Sequence, residues 1–176
     1  MISDPRTAPK QGVIEPELAA IMGSHITRAR IALVLIGILY AWTAYSNYGR
    51  IMGICGLFKF PADWGEGSCL SIAFPPDNPI GSLVGRYYFI IVLTGIAAVV
   101  NVALAGIAGK KTTLAICTAM GIFAVYTPLR LYEMSGLLST WEWWVTAIVL
   151  GMGFQAAYQA NQLCKSRKLA KAQLVA

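Results

Sequence analysis

The residues best suited to chemistry in this chain fall near the ends of predicted helices on one side. They are two arginines, two glutamates and a tyrosine: Arg86, Arg130, Tyr132, Glu133 and Glu142. Arg130 and Glu133 are three residues apart, a spacing that lets two side chains pair on one face of a helix. Ionisable groups beside apolar segments are candidates for function. The cluster therefore predicts either ion pairs that fix the helix ends or a pocket for a quinone, a lipid or an anion.

Little else in the sequence points to catalysis. His25 is the single histidine, and no motif for nucleotide binding, zinc binding or a serine nucleophile is present. One histidine supplies at most one ligand, so we expect no metal site or haem site built by this chain alone. We propose no catalytic residue and expect a non-catalytic role more than an enzymatic one. The cofactor stays open, with a quinone or a lipid as candidates.

Two of the four cysteines, Cys55 and Cys69, lie in the longest predicted loop. In an oxidising compartment they could form a disulfide. That bridge would close a loop of about 15 residues and stabilise the fold by about 3 kcal/mol. Free thiols are the alternative, and the sequence leaves both open.

The elements that must position these residues are four long apolar stretches, at about 31–49, 86–108, 112–132 and 143–163. Each is about long enough for a helix to cross a hydrocarbon core of ~30 Å. Of the 176 residues, 57% are hydrophobic and 12% charged, so a soluble domain could not cover four such stretches. We predict an all-α integral membrane protein, a four-helix bundle over residues 31–163.

The remaining segments flank or interrupt this bundle. Residues 1–13 predict a tail, and 14–30 predict an amphipathic helix lying at the membrane interface. Residues of about 51–82 form the one long connection, whose tryptophan, glycines and prolines favour an ordered outer loop. Residues 164–176 predict a second, basic tail.

The net charge of +6 is distributed as expected for a membrane protein rather than a nucleic-acid-binding protein. Basic residues precede the first apolar stretch, occupy the link between the second and third, and follow the fourth. The positive-inside rule then places both termini in the cytoplasm, most simply at a bacterial inner membrane. The expected partners are anionic membrane lipids and other membrane subunits, not nucleic acid.

Two rows of small and amide residues recur at four-residue spacing. They are Ala97, Asn101 and Ala105 in the second stretch, and Gly151, Gln155 and Gln159 in the fourth. Small residues let two helices approach closely, and amides can hydrogen-bond across the contact. We predict that these faces pack on each other or that one of them meets a partner. The amides of both rows would alternatively line the path of an oligomeric channel.

An arginine opens the second stretch, another precedes the end of the third, Gly136 follows it, and an acid opens the fourth. The segments concerned are VGRYYFIIVLTG (84–95) and VYTPLRLYEMSGLL (125–138). This pattern resembles small four-helix membrane proteins of the DoxX-like group. Some members of that group are membrane subunits of quinone-linked sulfur oxidation. The resemblance implies a four-helix bundle and a link to quinone chemistry.

Three functions are compatible with these observations. The one we favour is a non-catalytic accessory or assembly subunit of a larger membrane complex, because the chain has packing faces and tails but few reactive groups. The second is a quinone-linked redox component that uses the outer Arg/Glu/Tyr cluster. The third is a small transporter or channel formed by oligomerisation.

Overall fold

The fold is described by a computed structural model of the chain. It describes the backbone of residues 11–57, 79–133 and 141–175, and the side chains of 16–53, 85–129 and 141–169. These parts contain four helices and no strand. The helices are α1 (Gln11–Leu57), α2 (Pro79–Ile107), α3 (Thr112–Glu133) and α4 (Trp141–Val175). The predicted all-α class is confirmed.

Three of the helices contain segments long and apolar enough to cross a membrane. These segments are Pro16–Gly53 of α1, Gly85–Ile107 of α2 and Thr112–Leu129 of α3. This is the architecture of a helical membrane protein. α4 is not among them, since amides such as Gln155 and Gln159 interrupt its apolar part.

The helix predicted to lie at the interface over 14–30 is not a separate element. It is the first part of α1, which runs unbroken for 47 residues with no proline after Pro16. At 1.5 Å per residue, α1 is ~70 Å long, about twice the thickness of a hydrocarbon core. Nothing in the sequence interrupts the helix between the leader and the apolar segment, so the two form one continuous helix.

The helices run alternately up and down, and α1 is the centre of the packing. It makes its largest contacts with α2 and α4, while α3 completes the bundle through smaller contacts with those same two helices. The buried share of each apolar segment falls from 39% in α1 to 28% in α2 and 22% in α3. α3 is therefore the most peripheral of the three candidate spans.

The two ends of the bundle differ in chemistry. What we call the basic end comprises the start of α1, the α2–α3 turn with Lys110 and Lys111, and the second half of α4. In that turn the backbone N–H groups of both lysines donate to the Ile107 carbonyl, at 2.9 and 3.1 Å. What we call the aromatic end lies opposite, where the Tyr40 and Tyr126 rings meet edge to face with centroids 5.1 Å apart.

Candidate functional site

The row of small residues on α2 is buried, and its neighbours Ala98 and Val102 contact α1. Ala97, Asn101 and Ala105 are each less than one-tenth exposed. A Cβ added to Gly37 of α1 would lie 2.9 Å from the Val102 Cγ2 atom and 3.2 Å from the Ala98 carbonyl oxygen. The missing side chain is thus what permits this close approach, as expected for membrane helices. Among the described residues, α2 makes its largest contact with α1, and its contact with α4 is not among the main ones.

Asn101 is a fully buried polar residue of α2. It has no exposed surface, and its amide Nδ2 donates to the Ala97 carbonyl at 2.8 Å, within α2 itself. Its Oδ1 is buried and accepts no hydrogen bond from the part of the chain that the structure describes. The described residues therefore do not form the predicted hydrogen bond across the helix contact.

Arg30 holds the end of α2 from the neighbouring helix. Its guanidinium donates to the carbonyl oxygens of Ala105 at 3.1 Å and Gly106 at 3.4 Å. The last carbonyls of a helix lack partners within the helix and carry partial negative charge. The same guanidinium lies where a side chain at Gly109 would have to go, 2.9 Å from the point that a Cβ there would occupy. Arg30 is thus a cap for α2 rather than a free surface charge.

The row on α4 lies outside the bundle. Gly151, Gln155 and Gln159 are exposed, and no atom lies within 4 Å of a Cβ added to Gly151. A different face of α4 packs against α1 and α3. It includes Gly153, whose added Cβ would meet Ala32 Cβ at 3.0 Å and Ile116 Cδ1 at 3.1 Å. Because Asn101 is fully buried and the two glutamines are exposed, the three amides do not line a common path inside this chain.

Gln155 and Gln159 instead border a groove between α1 and α4. Its volume is about 330 Å³, and His25 and Arg28 of α1 line it from the opposite side. In the sequence these residues belong to separate features. Only the pairing of α1 with α4 brings them together, so no local pattern could have identified the groove.

At the aromatic end, Glu142 lies among residues of three helices. It lines a cavity with Thr43 and Thr146, walled by aromatic rings of α1, α3 and α4. The cavity measures about 10 Å³, which is the space for about one water molecule. Trp143 of the same wall donates from Nε1 to the Thr127 hydroxyl at 3.2 Å.

The other members of the predicted outer cluster are only partly described. Arg86 is exposed near the start of α2. The side chains of Arg130, Tyr132 and Glu133 lie outside the described residues, as do those of Cys55 and Cys69. The outer pocket or ion-pair cluster and the disulfide therefore stay predictions.

A third row of small residues lies on the outer face of α3, and the sequence reasoning missed it. It consists of Thr113, Cys117, Gly121 and Ala124, all exposed. No atom lies within 4 Å of a Cβ added to Gly121. These residues are four, four and three positions apart, a spacing from which the sequence alone could have assigned them to one helical face. We refer to these four residues as the α3 outer row.

Across the part of the chain that the structure describes, no group of three His, Cys, Asp or Glu side chains could hold a metal ion. Comparisons with protein-family models, with curated proteins and with solved structures find no match to this chain.

Proposed function

We propose that this chain is a non-catalytic accessory or assembly subunit of a larger membrane complex, joined to its partner through α3. One observation carries the proposal: the α3 outer row faces away from the bundle on the most peripheral span. The row presents Thr113, Cys117, Gly121 and Ala124 where lipid contact alone would favour larger apolar side chains.

The physical reason lies in how helices associate in lipid. Lipid tails are as apolar as leucine, so burying apolar surface between helices gains little, and close packing through small residues supplies the attraction. Inside this chain that attraction operates where Gly37 meets Ala98. The α3 outer row has the same residue types, and no helix of the described chain lies upon it. A helix from another subunit would complete the contact.

The proposed membrane topology rests on the distribution of basic residues and of apolar segments along the chain. The proposed topology has four membrane spans, with the apolar first half of α4 as the fourth, and both termini in the cytoplasm of a bacterium. It is supported by Lys110, Lys111 and Lys165, which all lie at the basic end together with the start of α1 and the end of α4.

The test is to purify the full chain from its native membranes in mild detergent and identify what co-purifies by mass spectrometry. We compare the wild type with Gly121→Leu, which fills the α3 outer row. Gly95→Leu on α2 is the matched control, because a Cβ at either glycine meets no atom within 4 Å. We expect a partner in fixed stoichiometry that Gly121→Leu releases and Gly95→Leu retains.

A photo-reactive residue gives the second measurement. Placed at Gly121 it should cross-link to that same partner, whereas placed at Val99, which is 71% exposed on α2, it should not. Recovery of the wild type as a monodisperse chain with no partner would contradict the proposal. Cross-linking of Gly121 to a second copy of this chain would instead favour the oligomeric transporter or channel.

A further inference from the structure

The α1–α4 groove has a polarity that changes along its length. At the basic end it is lined by His25, Arg28 and Gln159. Deeper in the bundle it is lined by Leu35, Val149 and Met152. Arg28 and Leu35 are seven residues apart on α1, so the change takes place over ~10 Å. A lipid in a bilayer leaflet has the same gradient, from a charged headgroup to an acyl chain.

Arg28 is the charged group of this groove. No residue that the structure describes forms a hydrogen bond or an ion pair with it. Arg30, two positions away, is by contrast bonded to two carbonyl oxygens of α2. The described residues that line the groove include no carboxylate. The groove therefore presents a positive charge that lacks a counter-ion among them.

His25 adds a second polar group without a partner. Its Nδ1 atom is buried, and the described residues offer it no hydrogen bond. Because this atom has almost no accessible surface, a ligand in the groove would contact the remainder of the imidazole ring, which lines it. The carboxamide of Gln159, on the facing helix, supplies a further donor to the same end of the groove.

We propose that this groove binds an anionic phospholipid of the leaflet at the basic end. The phosphate contacts the Arg28 guanidinium, with His25 and Gln159 beside it, and one acyl chain lies along Leu35 and Met152. Basic pockets between membrane helices are known to hold anionic headgroups. The proposal concerns a face distinct from the α3 outer row and stands without the assembly function.

The lining of the groove favours a lipid over a protein helix. Its charge lies at the basic end and its apolar residues lie deeper, which is the order of a phosphate followed by an acyl chain.

The test uses the purified full chain, with phosphatidylglycerol or phosphatidylcholine added in detergent and the bound lipid counted by native mass spectrometry. We expect the wild type to retain phosphatidylglycerol in preference. Arg28→Gln should reduce that preference about fivefold to tenfold. Lys165→Gln is the matched control, because it removes one exposed positive charge at the same end but does not line the groove. An equal loss in both variants would overturn the proposal.

A second pair of variants blocks the apolar part of the groove. Met152→Trp places a large ring in it, whereas Phe154→Trp changes an exposed apolar residue of α4 outside it. Only Met152→Trp should release the lipid. Excess inorganic phosphate should not displace it, because the acyl chain contributes to binding. Displacement by phosphate alone, or a photo-reactive residue at Gln155 that captures a protein and no lipid, would overturn the proposal.

Discussion

The α1–α2 contact and the outer face of α3 carry the same kinds of residue in different environments. At the first, the backbone oxygen of Ala98 approaches Gly37 so closely that a Cβ would lie 3.2 Å from it. At the second, a Cβ at Gly121 would meet nothing within 4 Å. Small residues at regular spacing therefore indicate a face suited to another helix, but they do not say whether that helix belongs to the same chain.

Polar groups also differ between the α1–α2 contact and the α1–α4 groove. At the α1–α2 contact, Asn101 and Arg30 bond to backbone carbonyls of α2. In the α1–α4 groove, Arg28 and the Nδ1 atom of His25 have no such partner among the described residues. Arg30 therefore stabilises the end of α2, whereas the exposed Arg28 on the wall of the groove remains available to a ligand.

The largest loss of stability should come from Gly37→Leu at the α1–α2 contact. The new side chain overlaps Val102 and the backbone of α2, so the helices must separate. We expect the free energy of unfolding to fall by about 3 kcal/mol. The measurement is SDS-induced unfolding in mixed micelles, followed by circular dichroism. Gly95→Leu, whose site is open, should stay close to the wild type, and equal losses would show that the α1–α2 contact has room for a side chain.

Gly153→Leu tests the close contact of α4 with both α1 and α3. Its side chain would press on Ala32 and on the terminal methyl of Ile116, which can yield in part. We expect a loss of about 2 kcal/mol in the same unfolding assay. Gly151→Leu, two residues away on the open face, is the control. A larger loss for Gly151→Leu than for Gly153→Leu would contradict the assigned faces of α4.

Arg30→Gln tests the cap on α2. It removes the charged donor to the carbonyls of Ala105 and Gly106. We expect a loss of about 1 kcal/mol, since a cation at a helix C-terminus contributes about that much. Arg28→Gln should change the unfolding of the lipid-free chain by less. If the two substitutions cost the same, Arg30 does not act as a cap.

The smallest effect on stability should come from Gly121→Leu. None of the described residues opposes the new side chain, so the isolated protein should unfold within about 0.5 kcal/mol of the wild type. The same substitution should abolish partner binding in native membranes. A large destabilisation of the isolated chain would mean that the α3 outer row is already covered within the fold.

Much of the secondary structure was predictable because it depends on local properties. The third apolar stretch is predicted at 112–132, and α3 spans Thr112–Glu133. Its start is marked by Gly109 and the two lysines that follow. The first stretch, predicted at 31–49, lies within a much longer helix, Gln11–Leu57. Hydropathy marks where a helix can lie in lipid, whereas the helix itself continues until a residue breaks it.

The contacts of each face were less predictable. The α2 row is recognisable in the sequence, but periodicity defines a face and not its neighbour, and the main contact of α2 is with α1. Asn101 is recognisable as a packing residue, although its hydrogen bond lies within its own helix. The groove was not predictable at all, since Arg28 and Gln159 are far apart in sequence.

The helical class, the long apolar segments suited to a membrane and the charge difference between the two ends were all readable from the sequence, which predicted four spans where three helices have suitable segments. These follow from composition and local spacing. The tertiary structure was needed to show that Gly37 of α1 packs on α2, that the α3 outer row faces outward, and that Arg30, unlike Arg28, has partners among the described residues. The reason is geometric. A helix offers several faces, and which of them is covered depends on how all four helices are arranged around one another.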